Sequence, residues 1–331
     1  MYTESSEPFC ILDSIRHSGG YSGLKDYFEE EIKNNRAHII SLMNDERLLF
    51  PSLFELQPMI KEHNLLGELS LRNQNALKAV SALLKRDTRE IERLSSDDEQ
   101  MTSSTLKWIF LSGFRSDIFN PQYEQIVDMA AALLIKRYND KTILPEVVST
   151  IFERNRDGRF TYDLIWALLE AGEPDSLNLI ANQLNSGHVK DIELARKILR
   201  FIPHIRLAPA ADSRIQYIWV KNWLQENQSF LYYTGESFHQ SCEPLPFALS
   251  MEAKYLCMKV STDTGKISER LSDAEKMLLN SFNRLNRNLQ ELLSNYSYYL
   301  YRQNIYGWNC WLHAPMLEQI KSVRWLKGGF Q

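Results

Sequence analysis

Glycine and proline are scarce in this chain, 13 and 11 of 331 residues. Few positions can therefore break or reverse the backbone, which disfavours a succession of short strands and points to long helices. Cysteine is scarcer still. Cys10, Cys242, Cys257 and Cys310 are too few and too irregularly placed for a disulfide scaffold of this size, so reduced thiols and a cytoplasmic location are expected. The opening MYTESSEPFCILDS has no basic stretch followed by an apolar one, so a secretory signal is not expected there. No apolar run approaches the ~18 residues of a spanning helix, so no membrane association is expected either. Neither the P-loop nor the dinucleotide-binding glycine pattern occurs. A net charge of only −4 argues against a general polyanion binder.

What is present suits a globular chain. Hydrophobic residues make up 44% and charged residues 24%, enough to bury cores and too apolar for disorder. At a typical ~100–200 residues per core, the length allows two or three. The charge is uneven: residues 1–100 sum to −6, 101–280 to −2 and 281–331 to +4.

The organisation expected is all-α in three parts, residues 1–95, 104–206 and 212–331. In the first, Gly19, Gly20 and Gly23 mark a loop, and Leu24, Phe28, Ile32, Ile39 and Ile40 then recur at helical spacing through LKDYFEEEIKNNRAHIISLM. Asn75 to Leu94 is a second helix, with Ala76, Val80, Leu83 and Leu84 inward. The polar run from Ser95 is a boundary. In the second part, Gly113 stops a short helix as a left-handed terminator and Pro145 opens another. Thr161, Asp175 and Asp191 sit at helix starts, and Gly172 and Gly187 at ends. LAPAAD, from Leu207 to Asp212, is a second boundary. In the third part, residues 229–246 are irregular and Phe247 to Val260 is a helix.

The middle of the chain nearly repeats itself. VDMAAALLIKRYND (Val127 to Asp140) and YDLIWALLEAGEPD (Tyr162 to Asp175) align without gaps at an offset of 35 residues, sharing Asp128/Asp163, Ala132/Ala167, Leu133/Leu168, Leu134/Leu169 and Asp140/Asp175. Such a period belongs to helical hairpins, which stack because one unit cannot bury its own apolar face. Over roughly residues 120–205 the chain resembles the HEAT-like and armadillo-like helical-repeat superfamily. The resemblance rests on hairpin length, Asp at helix starts and small residues within apolar helices. It implies a binding scaffold and transfers no functional residue.

The last long element is expected to run from about 266–273 to Arg302 as one helix. Leu271, Leu278, Leu285, Leu292 and Tyr299 recur every seven residues, with Phe282, Leu289 and Tyr296 between them, an a/d pattern. Leu279, Leu293 and Leu300 widen the stripe, which suits burial in a bundle rather than a two-stranded coiled coil.

Three constellations could carry chemistry. His239 and Cys242 form an HxxC pair, and Cys310 and His313 a CxxH pair. Together they make the Cys2His2 set that tetrahedral zinc favours, with Cys257 as a stand-in; buried thiols beside hydrogen-bonded histidines are the plainer reading. Gly235 to His239, GESFH, lacks the second glycine of a nucleophile elbow and any sheet to carry one, so Ser237 reads as a turn residue. No catalytic residue is assigned, and an enzyme is not the favoured reading. The chain's end interleaves Tyr296, Tyr298, Tyr299, Tyr301, Tyr306, Trp308 and Trp311 with Arg302, Lys321, Arg324, Trp325 and Lys327. Tyr296 and Tyr299 lie on the heptad stripe and are expected in the core. Tyr298, Tyr301, Trp308, Trp311, Arg324, Trp325 and Lys327 are the candidate partner-binding residues, because Tyr, Trp and Arg dominate protein interfaces. The expected function is a non-enzymatic scaffold binding another protein or a second copy. Structural or catalytic zinc is the alternative, and single-stranded nucleic acid, stacked on the basic aromatic end, the third.

Overall fold

The computed structural model describes residues 10–85, 98–114, 118, 120–203, 205, 212–236 and 245–328, and of 324–328 the backbone only. Among these the protein is all-α apart from one two-stranded sheet. No helix among them is long and apolar enough to cross a membrane. The chain divides into two compact units, Met1–Ile151 with Thr161–Ala167, and Phe152–Phe160 with Leu168–Gln331. Residues 104–206 thus contribute to both. The expected boundary stretches at 95–97 and 207–211 lie outside the described residues.

The first unit is built from α1 (Ile11–Asn34), α2 (Arg36–Met43), α3 (Phe50–Glu62), α4 (Leu71–Lys85), α5 (Glu99–Gly113) and α6 (Pro121–Lys136), with parts of α7 (Leu144–Arg156) and α8 (Tyr162–Glu170). The glycines expected to form a loop lie inside α1, which kinks at Gly20 (φ 62°, ψ −161°). The helix expected over 24–43 instead breaks at Asn35. The extended backbone there (φ −151°) ends α1, while the Asn35 side chain accepts from the His38 N–H at 3.2 Å and starts α2. Leu24 and Phe28 of α1, Phe50 and Leu53 of α3, Val80 of α4, Phe110 of α5 and Ile126 of α6 are buried. A polar group is buried with them: Asp13 accepts from Ser52 Oγ at 2.5 Å and Leu49 N at 3.0 Å.

Gly113 does not take the left-handed conformation expected of it. It is the last residue of α5, and its job is close approach. The Tyr123 hydroxyl donates to its carbonyl at 3.0 Å, and a Cβ there would lie 2.8 Å from Tyr123 Oη and 3.1 Å from Val127 Cγ2. Tyr123 cannot swing aside freely, because it stacks on Phe50 (5.6 Å between centroids) and meets Phe54 edge-on at 5.1 Å. Gly113→Ala is therefore expected to destabilise by about 1–3 kcal/mol, the usual cost of overpacking. Urea unfolding measures it, and an unchanged midpoint would show that the ring cluster yields.

The second unit contains the remainder of α7 and α8, then α9 (Ser176–Asn182), α10 (Val189–Ile198), α11 (Ser213–Asn227), β1 (Leu231–Tyr233), β2 (Phe247–Leu249), α12 (Met251–Leu256), α13 (Asp273–Asn283), α14 (Arg287–Gln303), α15 (Ile305–Leu312) and α16 (Met316–Gly328). Buried Asp191 on the first turn of α10 accepts from Arg156 Nε at 2.9 and 3.1 Å, from Arg156 Nη2 at 2.9 Å and from Ser186 Oγ at 2.6 Å. Burial alone would raise its carboxyl, but these bonds outweigh burial and hold it below the ordinary value.

The two near-repeats are helical in both copies, and Leu134 and Leu169 are both buried. Other matched positions differ. Asp128 is buried and Asp163 exposed. Asp140 accepts from Thr142 N at 3.0 Å and from Lys107 Nζ at 2.9 Å, whereas Asp175 makes no capping bond and accepts from Gln228 Nε2.

Two expectations in this unit are corrected. Phe247 to Val260 is not one helix. Its first three residues pair antiparallel with β1, Tyr233 opposite Phe247 and Leu231 opposite Leu249, and α12 starts only at Met251. Pro246, which has no N–H, enters the sheet through its carbonyl, accepting from Thr234 N at 3.0 Å. Nor is there one long heptad helix. Ser272 and Glu275 form a capping box that opens α13, but α13 ends at Asn283. Asn286 then caps a new helix, its side chain accepting from Leu289 N at 3.0 Å. Local capping chemistry overrides a periodic apolar pattern that runs straight through it.

Candidate functional site

The C-terminal part of the second unit is organised around Tyr255 of α12. Its ring stacks on Phe282 at 4.4 Å, and its hydroxyl donates to buried Gln319 Oε1 at 2.7 Å. Burial pushes the phenol up to about 12. Leu256, Leu279, Leu293, Leu312 and Val323 complete this core. Helix α14 meets it through small residues. Ser294 and Ser297 are fully buried, and Ser297 Oγ donates to Tyr255 O at 2.5 Å. Small side chains let two helices approach closely, which fixes the rotation of α14 about its axis.

That rotation decides where the aromatic residues point. The buried stripe is Leu293, Ser294 and Ser297, so the heptad reading is turned around the helix. Tyr299, expected in the core, is 58% exposed. Tyr296 is partly buried, edge-on to Trp311 at 5.3 Å. Tyr298, expected at the surface, is half-buried and meets Phe230 edge-on at 5.0 Å.

Trp308 and Trp311 have structural work to do. Trp308 Nε1 donates to Ser297 Oγ at 2.8 Å and Trp311 Nε1 to Ser322 Oγ at 2.9 Å. Tyr301 is exposed and leans on Trp308 at 5.1 Å. Asn304 ends α14 and starts α15 by itself, its N–H donating to Leu300 O at 2.8 Å and its side chain accepting from Gly307 N at 3.0 Å. At this corner Ile305 is 63% and Tyr306 78% exposed. The side chains of Arg324, Trp325 and Lys327 lie outside the described residues.

Behind the face, Lys254 is buried, and among the described residues no carboxylate is in contact with it. Its Nζ donates to Asn227 Oδ1 at 2.7 Å and Asn295 Oδ1 at 2.6 Å, and lies 5.7 Å from the Tyr298 ring centroid. Arg302 covers the same ring at 5.8 Å. Two amide dipoles replace water only in part, so burial lowers the ammonium to about 8, against weaker support from Glu226 and Glu291.

The zinc set is only half within the described residues. His239 and Cys242, with Ser237 of the GESFH segment, lie outside them. Cys310 is exposed on α15, and His313 follows at its end with Nδ1 2.9 Å from Asn309 O. Cys257, the stand-in, sits 3.9 Å from Ser297 Oγ, and burial pushes its thiol up to about 12. Among the described residues no three His, Cys, Asp or Glu side chains converge.

One feature escapes the sequence entirely. A groove of about 880 Å³ lies against the small sheet and the α13–α14 corner. Phe201, Trp223 and Phe247 wall it with rings, Phe201 lying 5.8 Å from Phe247 and 6.3 Å from Trp223. Among its described lining residues, Glu236, Glu252, Glu291 and Arg287 carry charge. Gly265 (φ 68°) also lines it, and a Cβ there would strike the Tyr232 ring at 2.8 Å. The residues come from positions between 201 and 291, which is why no linear motif announces them. Comparison of the chain with protein-family models, with curated proteins and with solved structures finds no match.

Proposed function

We propose that this protein is a non-enzymatic scaffold that binds another protein, a distinct partner or a second copy, through the aromatic face at the α14–α15 corner. The observation that carries this reading is the exposure of Tyr299, Ile305 and Tyr306 (58%, 63% and 78%) on either side of a single-residue joint. Tyrosine in such a setting offers large contact area at low conformational cost, and it recurs in interface hot spots. The supporting rings are already ordered: Tyr296 stacks on Tyr299 at 6.3 Å, and Tyr301 rests on an anchored Trp308. Tyr299 and Tyr301 therefore have less freedom to lose on docking. The HEAT-like resemblance over residues 120–205 fits the same role, with helical hairpins as a stiff support. A cytoplasmic setting suits the unpaired thiols of Cys10, Cys257 and Cys310.

The test is capture from native lysate with the wild-type chain and with Tyr299→Ser/Tyr306→Ser, followed by titration of the purified partner. Both rings face solvent, so the unfolding midpoint should not move. The affinity should fall at least about tenfold, roughly 1.4 kcal/mol. Sedimentation of the same pair covers self-association. A variant that binds as tightly as wild type removes this face from the interface.

A further inference from the structure

Between Glu291 and Glu318 the sequence holds no aspartate or glutamate. That stretch is most of α14, all of α15 and the entry to α16, so the aromatic corner has no carboxylate of its own. Arg302 is its only lysine or arginine. Tyr299 and Arg302 stand three apart on α14 and share a side of the helix. The guanidinium is exposed and lies over the Tyr298 ring, 5.8 Å from the centroid. Stacking of this kind uses the flat face of the guanidinium and leaves its N–H edge available to an acceptor. Among the described residues no carboxylate contacts it.

A second cation stands at the same ring. Lys254 Nζ is 5.7 Å from the Tyr298 centroid, held by two neutral amide oxygens. Charge set in protein is poorly screened, so both cations contribute to the field at the corner. The acids around it are committed or offset. Glu275 accepts from Ser272 N and Oγ, both at 2.7 Å, within the capping box. On α16, exposed Glu318 is followed by exposed Lys321.

Apolar area and positive field together define the occupant. We infer that the α14–α15 corner receives a segment of a distinct partner protein in which carboxylates alternate with aromatic or aliphatic side chains. Arg302 takes a carboxylate, and Tyr299, Ile305 and Tyr306 take the apolar groups. The inference rests on the protein-binding reading above and narrows it. A second copy docked face to face would bring no carboxylate and would set one Arg302 against the other. Single-stranded nucleic acid is bound by neutralising several phosphates, for which one guanidinium between Glu291 and Glu318 is too few.

The test titrates the full chain with a fluorescent twelve-residue peptide in which glutamate alternates with phenylalanine or leucine. Saturable binding is expected. It should weaken at least tenfold when lysine replaces glutamate, and at least tenfold when serine replaces the apolar residues. Arg302→Gln and Tyr299→Ser/Tyr306→Ser should each weaken it severalfold without moving the unfolding midpoint, and Arg302→Lys should retain most of it. Absence of saturable binding, equal binding of the lysine peptide, or indifference to Arg302→Gln overturns the inference. So does dimerisation of the purified chain that Tyr299→Ser/Tyr306→Ser abolishes, or tighter binding of oligothymidylate at the same face. If the peptide fails while tyrosine-dependent capture persists, the corner takes a partner of other chemistry and only this inference falls. If the double tyrosine variant captures its partner and binds the peptide as well as wild type does, the corner is no interface and both readings fall.

Discussion

Phe282→Ala is expected to destabilise the second unit by about 3–5 kcal/mol, the usual range for deleting a fully buried aromatic ring. The residue is buried, stacks on Tyr255 at 4.4 Å and lies in the last turn of α13. Its carbonyl accepts from Gln290 Nε2 at 3.2 Å, across the corner into α14. Removing the ring would leave Tyr255 with a void on one face, and Tyr255 holds both Ser297 and Gln319. The loss should therefore reach the orientation of α14 as well as overall stability. Calorimetry of the full chain gives the first quantity, and near-ultraviolet circular dichroism of the surrounding tryptophans and tyrosines the second. A change under about 1 kcal/mol would mean that the core collapses onto the gap, and that Tyr255 is not its centre.

The second large effect is a pH dependence. Burial draws the Lys254 ammonium down to about 8 from 10.5. Below about pH 8 the folded and unfolded chains both carry the proton, and the folded chain bears the full penalty of a buried charge. Between about 8 and 10.5 the unfolded chain holds more protons than the folded one, so stability from this group rises with pH. Above 10.5 both forms are neutral and the penalty is gone. The gain corresponds to roughly 3 kcal/mol.

Other groups pull the opposite way. Cys257 and Tyr255 are raised to about 12 from 9.0 and 10.0, so each favours the folded chain less as pH climbs past those ordinary values. The useful quantity is therefore the difference between wild type and Lys254→Met, from which Tyr255 cancels and Cys257 leaves only its weak coupling to Lys254. That difference should move towards wild type by roughly 3 kcal/mol between pH 7.5 and 10.5. Loss of the donor to Asn227 and Asn295 adds only a constant offset. A difference that stays flat across this range would mean that the amine is solvated or already neutral.

Apolar spacing made most helices legible, and cap residues made several of their starts legible. Pro145, in the first turn of α7, and Asp191, in the first turn of α10, stand where their local chemistry dictates. The misreadings have two physical sources. At Asn35 and Asn286 a single side chain satisfies the N–H groups of a new helix, and the apolar stripe continues across the break as though nothing happened. Hydrophobic spacing carries no trace of such a break; the capping capacity of each asparagine does. On α14 the buried stripe includes Ser294 and Ser297 beside Leu293, and small polar residues of this kind interrupt an apolar pattern. Their omission turned the helix and exchanged the expected places of Tyr298 and Tyr299. The groove was invisible for a third reason. Its rings and carboxylates come together only once β2 has left the helix expected there.

Asn304 belongs to two helices at once, closing α14 and opening α15 with nothing in between. A joint with no spare residue has no slack. Inserting or deleting one amino acid there would turn Tyr306 by about 100° relative to Tyr299, because each helical position advances the chain by that angle. Related chains that dock through this corner are therefore expected to keep its spacing as strictly as its rings. Indels, as well as loss of the tyrosines, would mark where a lineage stopped using it.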